Sequence, residues 1–213
     1  NIGVSCVVIQ ELKPSKRVPG RWLAVLEDGS ILRLGEGEVV EFALYAGKEL
    51  TDQEAEGIAA AVRRGALRER ALSLLTKKPQ SRRELERKLG EWEATEQEAA
   101  AICDRLEELG YLNDASYAAA VVRSYSARGY GERKLRDELY RRGVPRELWE
   151  DALAQREDPA QAIDALVEKR LRGRTPDRQE LKKLSDALAR RGYRWGEIHE
   201  ALRRYGAQVE FEE

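Results

Sequence analysis

The stretch LRDELYRRGVPRELWEDAL, Leu135–Leu153, returns as LSDALARRGYRWGEIHEAL, Leu184–Leu202. Leu135, Leu139, Gly143, Ala152 and Leu153 recur 49 residues later as Leu184, Leu188, Gly192, Ala201 and Leu202. Fifty residues before Leu135 stand Leu85 and Leu89, again four apart. A period of this size marks one supersecondary unit copied along a chain. Leucines four apart share one helix face, and the glycine that follows supplies a left-handed stop. These residues are read as structure and not as chemistry. They predict a mainly α fold, an elongated tandem array of three-helix repeats.

Helix punctuation extends the pattern outward. Thr51-x-x-Glu54, Ser81-x-x-Glu84 and Thr95-x-x-Glu98 have the form of capping boxes, in which hydroxyl and carboxylate satisfy each other's orphan backbone amides. Asp158-Pro159 and Thr175-Pro176 set a capping side chain before a proline, and Gly110, Gly143, Gly192 and Gly206 stand where helices end. The signals predict helices near 66–77, 82–90 and 96–109, then 115–128, 132–142 and 146–155, then 159–172, 176–191 and 195–205, after a leading helix from Thr51. The first copy departs from the pattern, with Glu93 where the later copies have Gly143 and Gly192.

The first fifty residues read as a small N-terminal antiparallel β-hairpin or sheet region. Cys6 to Ile9, Trp22 to Leu26, Ile31 to Leu34 and Val39 to Leu44 are the extended runs. Asp28-Gly29 between the second and third signals a two-residue type I′ hairpin turn. Such a sheet is marginal alone and should lean on the following helix or add to a partner's edge. The expected division is 1–50 for the β region, 51–113 for the leading helix and repeat 1, 114–157 for repeat 2, and 158–213 for repeat 3 with an acidic tail.

Of the 213 residues 36% are charged and 42% hydrophobic, which favours a folded chain over a disordered one. No membrane span and no basic signal-peptide lead are found, and Cys6 and Cys103 form no CxxC pair, so a cytoplasmic protein without metal or disulfide framework is expected. No catalytic or cofactor-binding constellation is found. His199 is the only histidine, Gly35-x-Gly37 lacks the rest of a phosphate loop, and Glu107-Glu108 and Glu150-Asp151 diverge around a helix axis. An enzyme is not expected.

The net charge of −1 hides an asymmetry: residues 1–62 carry −4, 63–207 carry +6, and Glu210, Glu212 and Glu213 add three negative charges. The helical part is thus the part suited to an anionic partner. Basic residues alternate with aromatics at helix ends of the second and third repeats. The candidate contact residues are Arg123, Tyr125, Arg128, Arg133, Lys134, Arg141 and Arg142, then Arg190, Arg191, Arg194, Arg203 and Arg204. Tyr130, Tyr140, Tyr193, Trp195 and Tyr205 lie among them. Arginine with Tyr or Trp suits both interface anchoring and single-stranded nucleic acid.

At ALSLLTKKPQSRRELERKL (Ala71–Leu89), LEELGYLND (Leu106–Asp114) with Tyr117-Ala118, and GYGERKLRDELYRRGV (Gly129–Val144) with Ala152-Leu153, the chain resembles the RecX regulatory proteins. RWLAVLEDGSILRL (Arg21–Leu34) leading to GKEL (Gly47–Leu50) is similar to the extension of longer members. The resemblance implies a regulator, acting as a monomer, that binds the groove of the RecA–DNA filament. It would restrain strand exchange, ATP hydrolysis, filament growth and damage-response signalling, with direct contact to single-stranded and duplex DNA in some members. The competing expectation is a DNA-binding protein that uses three-helix units as helix-turn-helix modules. The acidic third helix of repeat 2, with Glu147, Glu150 and Asp151, argues against it.

Overall fold

A computed structural model describes residues 7–205. Cys6, Gly206 and the acidic tail therefore lie outside the described residues. The chain forms two compact units, Asn1–Lys77 with Leu89–Arg105, and Lys78–Lys88 with Leu106–Glu213.

In the first unit, β1 (Val7–Pro14), β2 (Arg21–Leu26), β3 (Ile31–Gly35) and β4 (Glu49–Leu50) form an antiparallel sheet of order β3-β2-β1-β4. Ile9, Ala24, Leu34 and Leu50 make its buried face. Ile58 of α2 (Asp52–Lys77) joins the same cluster, so the sheet leans on the helix that follows it. The expected leading helix and the helix at 66–77 are one element of 26 residues.

The turn at Asp28-Gly29 is not type I′, because only Gly29 is left-handed. Its amide donates to the Leu26 carbonyl at 2.9 Å, while the Asp28 carboxylate accepts from the Ser30 amide and hydroxyl. The run Val39–Leu44 is not a strand. Its first residues close α1 (Glu36–Glu41), started by the Glu38 carboxylate accepting the Gly35 amide at 2.7 Å. Acidic residues in a first turn favour a helix over the β-propensity of two valines.

The remaining helices are α3 (Arg82–Glu91), α4 (Glu96–Glu108), α5 (Asp114–Ser126), α6 (Glu132–Arg141), a 3₁₀ turn (Arg146–Leu148) running into α7 (Trp149–Leu153), α8 (Pro159–Leu171), α9 (Arg178–Arg190) and α10 (Trp195–Arg203). The expected helix at 146–155 is thus a short compound element. α9 starts two residues after the expected position, since Asp177 and not Thr175 caps it, in a reciprocal box with Glu180. The boxes at Thr51, Ser81 and Thr95 form as expected.

Repeats 2 and 3 each have their own core in the second unit, one around Leu135 and Leu139, the other around Leu184 and Leu188. The middle helices α3, α6 and α9 end alike. The amides of Ala94, Val144 and Tyr193 reach back to the carbonyls of Leu89, Leu139 and Leu188. The turn in each is a left-handed residue, Glu93 (φ 66°), Gly143 (φ 68°) and Gly192 (φ 90°). Glu93 thus adopts the glycine conformation with a side chain attached, at a cost of about 1 kcal/mol. Glu93→Gly is expected to raise the unfolding free energy by about that amount, read from urea denaturation with no change in helical content.

Candidate functional site

The 49-residue period has a direct structural counterpart in the second unit. The start of one middle helix is seated on the end of the next. Gly131, which precedes α6, donates its amide to the Arg191 carbonyl at 2.9 Å, and Arg133 donates its own to the Gly192 carbonyl at 3.0 Å. One repeat earlier, the Ser81 hydroxyl that caps α3 donates to the Arg142 carbonyl, and Gly143 lies against the stem of Arg83. Orphan amides at a helix start and orphan carbonyls at a helix end thereby satisfy each other across repeats.

The approach at Gly131 excludes a side chain. A Cβ there would meet the Tyr193 amide nitrogen at 2.3 Å and the Gly192 carbonyl carbon at 2.4 Å, both rigid backbone. Gly131→Ala is expected to destabilise the protein by about 3 kcal/mol, in the range of overpacked rigid contacts. Urea or thermal unfolding reads this.

A buried carboxylate completes the seam. Glu132, with its side chain 8% exposed, holds Arg136 of its own helix at 2.9 Å, Arg156 beyond α7 at 2.9 Å, and Arg194 at the start of α10. Arg156 reaches on to Glu197 at 3.2 Å. Burial works to raise the Glu132 pKa, but hydrogen bonds from Arg136 and Arg194 and the nearby charges outweigh it and hold the carboxyl below its ordinary 4.5. A depressed folded pKa gives stability that is present above the unfolded value and lost as pH falls through the folded one. Glu132→Gln should therefore be less stable than the parent at neutral pH, and the gap should narrow as the pH falls from 7 to about 3, as followed by urea titrations.

The twelve candidate residues divide. Arg142 is half-buried, donating to the Tyr117 hydroxyl at 2.6 Å and to Glu138 at 3.3 Å. Burial and the bond to Glu84 push the Tyr117 hydroxyl up to about 12. Arg141 grips both Glu138 oxygens, Arg204 both Asp164 oxygens, Arg194 the buried Glu132, and Arg123 the Gln155 amide oxygen. Arg191 donates to the carbonyls of Arg128 and Gly129 and lies over the Tyr130 ring. Tyr125 packs onto the repeat 2 core, under Arg128 and Arg142.

What is left is a smaller set. Arg128, Arg133, Arg190 and Arg203 are exposed and Lys134 is partly so, and among the described residues none of the five has an acidic partner. Arg128, Arg133, Lys134 and Arg190 surround the Gly131–Gly192 contact, placed there by backbone bonds at Gly131, Arg133 and Arg191. Arg203 stands apart, at the end of α10. Among the aromatics, Tyr140 and Trp195 are 69% and 53% exposed, while Tyr193 is buried in the seam with its hydroxyl unpartnered.

Gly131 and Glu132 organise this surface, as Ser81 does the contact one repeat earlier, and none of the three was among the candidates. Their signal was positional: Gly131 stands fifty residues after the Ser81 cap, and a cap position without a capping side chain calls for an outside acceptor.

Among the described residues no group of His, Cys, Asp and Glu could hold a metal, and no helix is long and apolar enough to cross a membrane. His199 is exposed on α10.

Family models described as the first, second and third three-helix domains of RecX match residues 68–106, 113–153 and 157–202. A regulatory protein RecX of Xanthomonas axonopodis pv. citri is 38% identical over 137 residues, covering 63% of this chain and 85% of that protein. One from Streptomyces coelicolor is 36% identical over 148 residues, covering 65% and 79%. A crystal structure of regulatory protein RecX superposes with a TM-score of 0.77 at 24% identity, covering 92% of this chain and 99% of that one, a likeness of fold.

Proposed function

The chain belongs to the RecX family, and on that premise we propose that it binds the RecA–DNA filament in its helical groove and restrains the recombinase. The observation that carries this reading is the presence of three consecutive family domains between residues 68 and 202. The protein would act in the cytoplasm as a non-enzymatic monomer, slowing ATP hydrolysis, filament growth and damage signalling. The contact surface we assign is the cationic rim of the seam between repeats 2 and 3. Arg128, Arg133, Lys134 and Arg190 stand there without internal carboxylates, so their charge remains available to an anionic filament surface.

A helix-turn-helix reading is less well supported. The third helix of repeat 2 is only Trp149–Leu153, and its Glu150 is taken by Arg136 at 2.9 Å. A recognition helix needs several side chains aimed at base edges, and five residues with two carboxylates supply little.

The test follows RecA ATPase on single-stranded DNA with added protein, alongside binding to naked and RecA-coated DNA at physiological salt. Restraint of the ATPase and preference for coated DNA are expected; tight binding to naked DNA with no effect on RecA would sink the reading. Charge reversal at Arg128, Arg133 and Arg190 together should weaken filament binding by about tenfold or more with helical content unchanged. The same change at Arg204, whose charge is spent on Asp164, should be read first as lost stability.

A further inference from the structure

Repeats 2 and 3 share a framework but differ at one place between their first and second helices. The N-caps Asn113 and Asp158 lie 45 residues apart, and the buried pairs Ala118/Ile163 and Val122/Val167 keep that offset. The second helices keep the offset of 49, Leu135/Leu184 and Leu139/Leu188. On this correspondence Tyr125 of repeat 2 becomes Arg170 in repeat 3, and Glu138 becomes Ala187.

In repeat 2 the two residues close the space between α5 and α6. The Tyr125 ring packs on the core, the buried Glu138 holds Arg141 and Arg142, and Arg142 lies 5.8 Å from the ring centroid. In repeat 3 the ring and the carboxylate are gone, and a groove of about 280 Å³ opens between α8 and α9. Leu166 and Ala187 form its apolar floor, over the buried Val167, Leu184 and Leu188. Lys169, Arg170 and Arg191 rim it, and a second depression continues it past Arg174 and Lys183. Leu166 abuts Gly129 at the other end, where Arg191 binds the Arg128 carbonyl, so the groove opens directly onto the seam cations.

We propose that this groove is a base-stacking subsite for single-stranded nucleic acid, taking one unpaired base where repeat 2 holds its own tyrosine ring. An apolar floor suits the face of a base, and the cations suit the flanking phosphates. The rim favours nucleic acid over an extended peptide. Lys169, Arg170 and Lys183 offer donors, and the carboxylate at that end, Glu180, is engaged by Arg174 and by the Asp177 amide. A peptide backbone would bring amide donors that need acceptors, whereas a phosphodiester brings acceptors alone. The inference rests on the seam of repeats 2 and 3 facing the nucleic acid of the filament.

The experiment compares binding of the full chain to a fluorescent oligothymidylate and to an abasic oligomer of equal length and charge. Preference for the oligothymidylate by about tenfold is expected, the low end for one stacked base. Ala187→Phe fills the groove and keeps every cation. It should lower oligothymidylate affinity to the abasic level and leave abasic affinity unchanged. The double variant Arg170→Tyr, Ala187→Glu rebuilds the closure that repeat 2 already tolerates and should also abolish the preference. Equal binding of both oligomers by the parent, or a preference that survives both substitutions, overturns the subsite. So does an acidic peptide such as Glu-Glu-Phe-Glu-Glu binding the parent and not Ala187→Phe while oligothymidylate shows no base dependence, which assigns the groove to a protein. RecA ATPase is followed in parallel. Restraint without base discrimination removes only the subsite, whereas absence of restraint by the parent removes the filament reading itself.

Discussion

The seam between repeats depends on backbone meeting backbone at Gly131 and Gly192. Two amide-to-carbonyl bonds at 2.9 and 3.0 Å tie the start of α6 to the end of α9, with no room for a Cβ between them. This contact fixes how repeat 3 sits on repeat 2, because a helix start offers bonding directions only along its axis. It also explains the period. The sequence interval between Ser81 and Gly131, or between Gly143 and Gly192, is the chain length needed to leave one middle helix and return as the next. At the start of α9 and the end of α3, side chains supply the bonds instead: Asp177 caps α9 with its own carboxylate, and Arg63 of α2 reaches the Glu93 carbonyl at the end of α3.

The parts of this arrangement that are legible in the sequence are those governed by local rules. Leu135, Leu139, Leu184 and Leu188 announce a buried helix face, and Gly143 and Gly192 announce the stop. Gly131 does not announce itself, since between Tyr130 and Glu132 it reads as an ordinary flexible link. Its role comes from a residue 61 positions on, and nothing local encodes that. The misread strand at Val39–Leu44 has a similar origin. The apolar run is real, but Glu38, just before it, caps the helix through the Gly35 amide.

Charge was legible in total and not in distribution. Arginines from α6, from beyond α7 and from α10 converge on Glu132, and Arg141 and Arg142 on Glu138. Some of these pairs follow helical spacing, as Arg136 and Glu132 do. Others, such as Arg194 and Glu132, are 62 residues apart. An arginine drawn onto a buried carboxylate has lost much of its power to attract a second anion, and removing it would leave that carboxylate unpaired. Counting basic residues therefore overstates the charge left free to meet an anion. The subset with no acidic partner, around the seam, is a better measure of it.

The repeats differ in what they have kept. Residues of the seam and the core pairs are matched between repeats 2 and 3, down to left-handed glycines at the same place. The face between first and second helices is free of that constraint, and there Tyr125 and Glu138 have given way to Arg170 and Ala187. Replacing a tyrosine by an arginine and a glutamate by an alanine adds two positive charges' worth of potential and removes a ring's volume at one spot. A loss of packing of this size, in a repeat whose core is otherwise filled by Ile163 and Val167 at 0% exposure, is tolerable because the groove sits at the rim of that core. Duplication thus leaves the assembly rule intact and frees one surface to acquire a different complement of charge and shape.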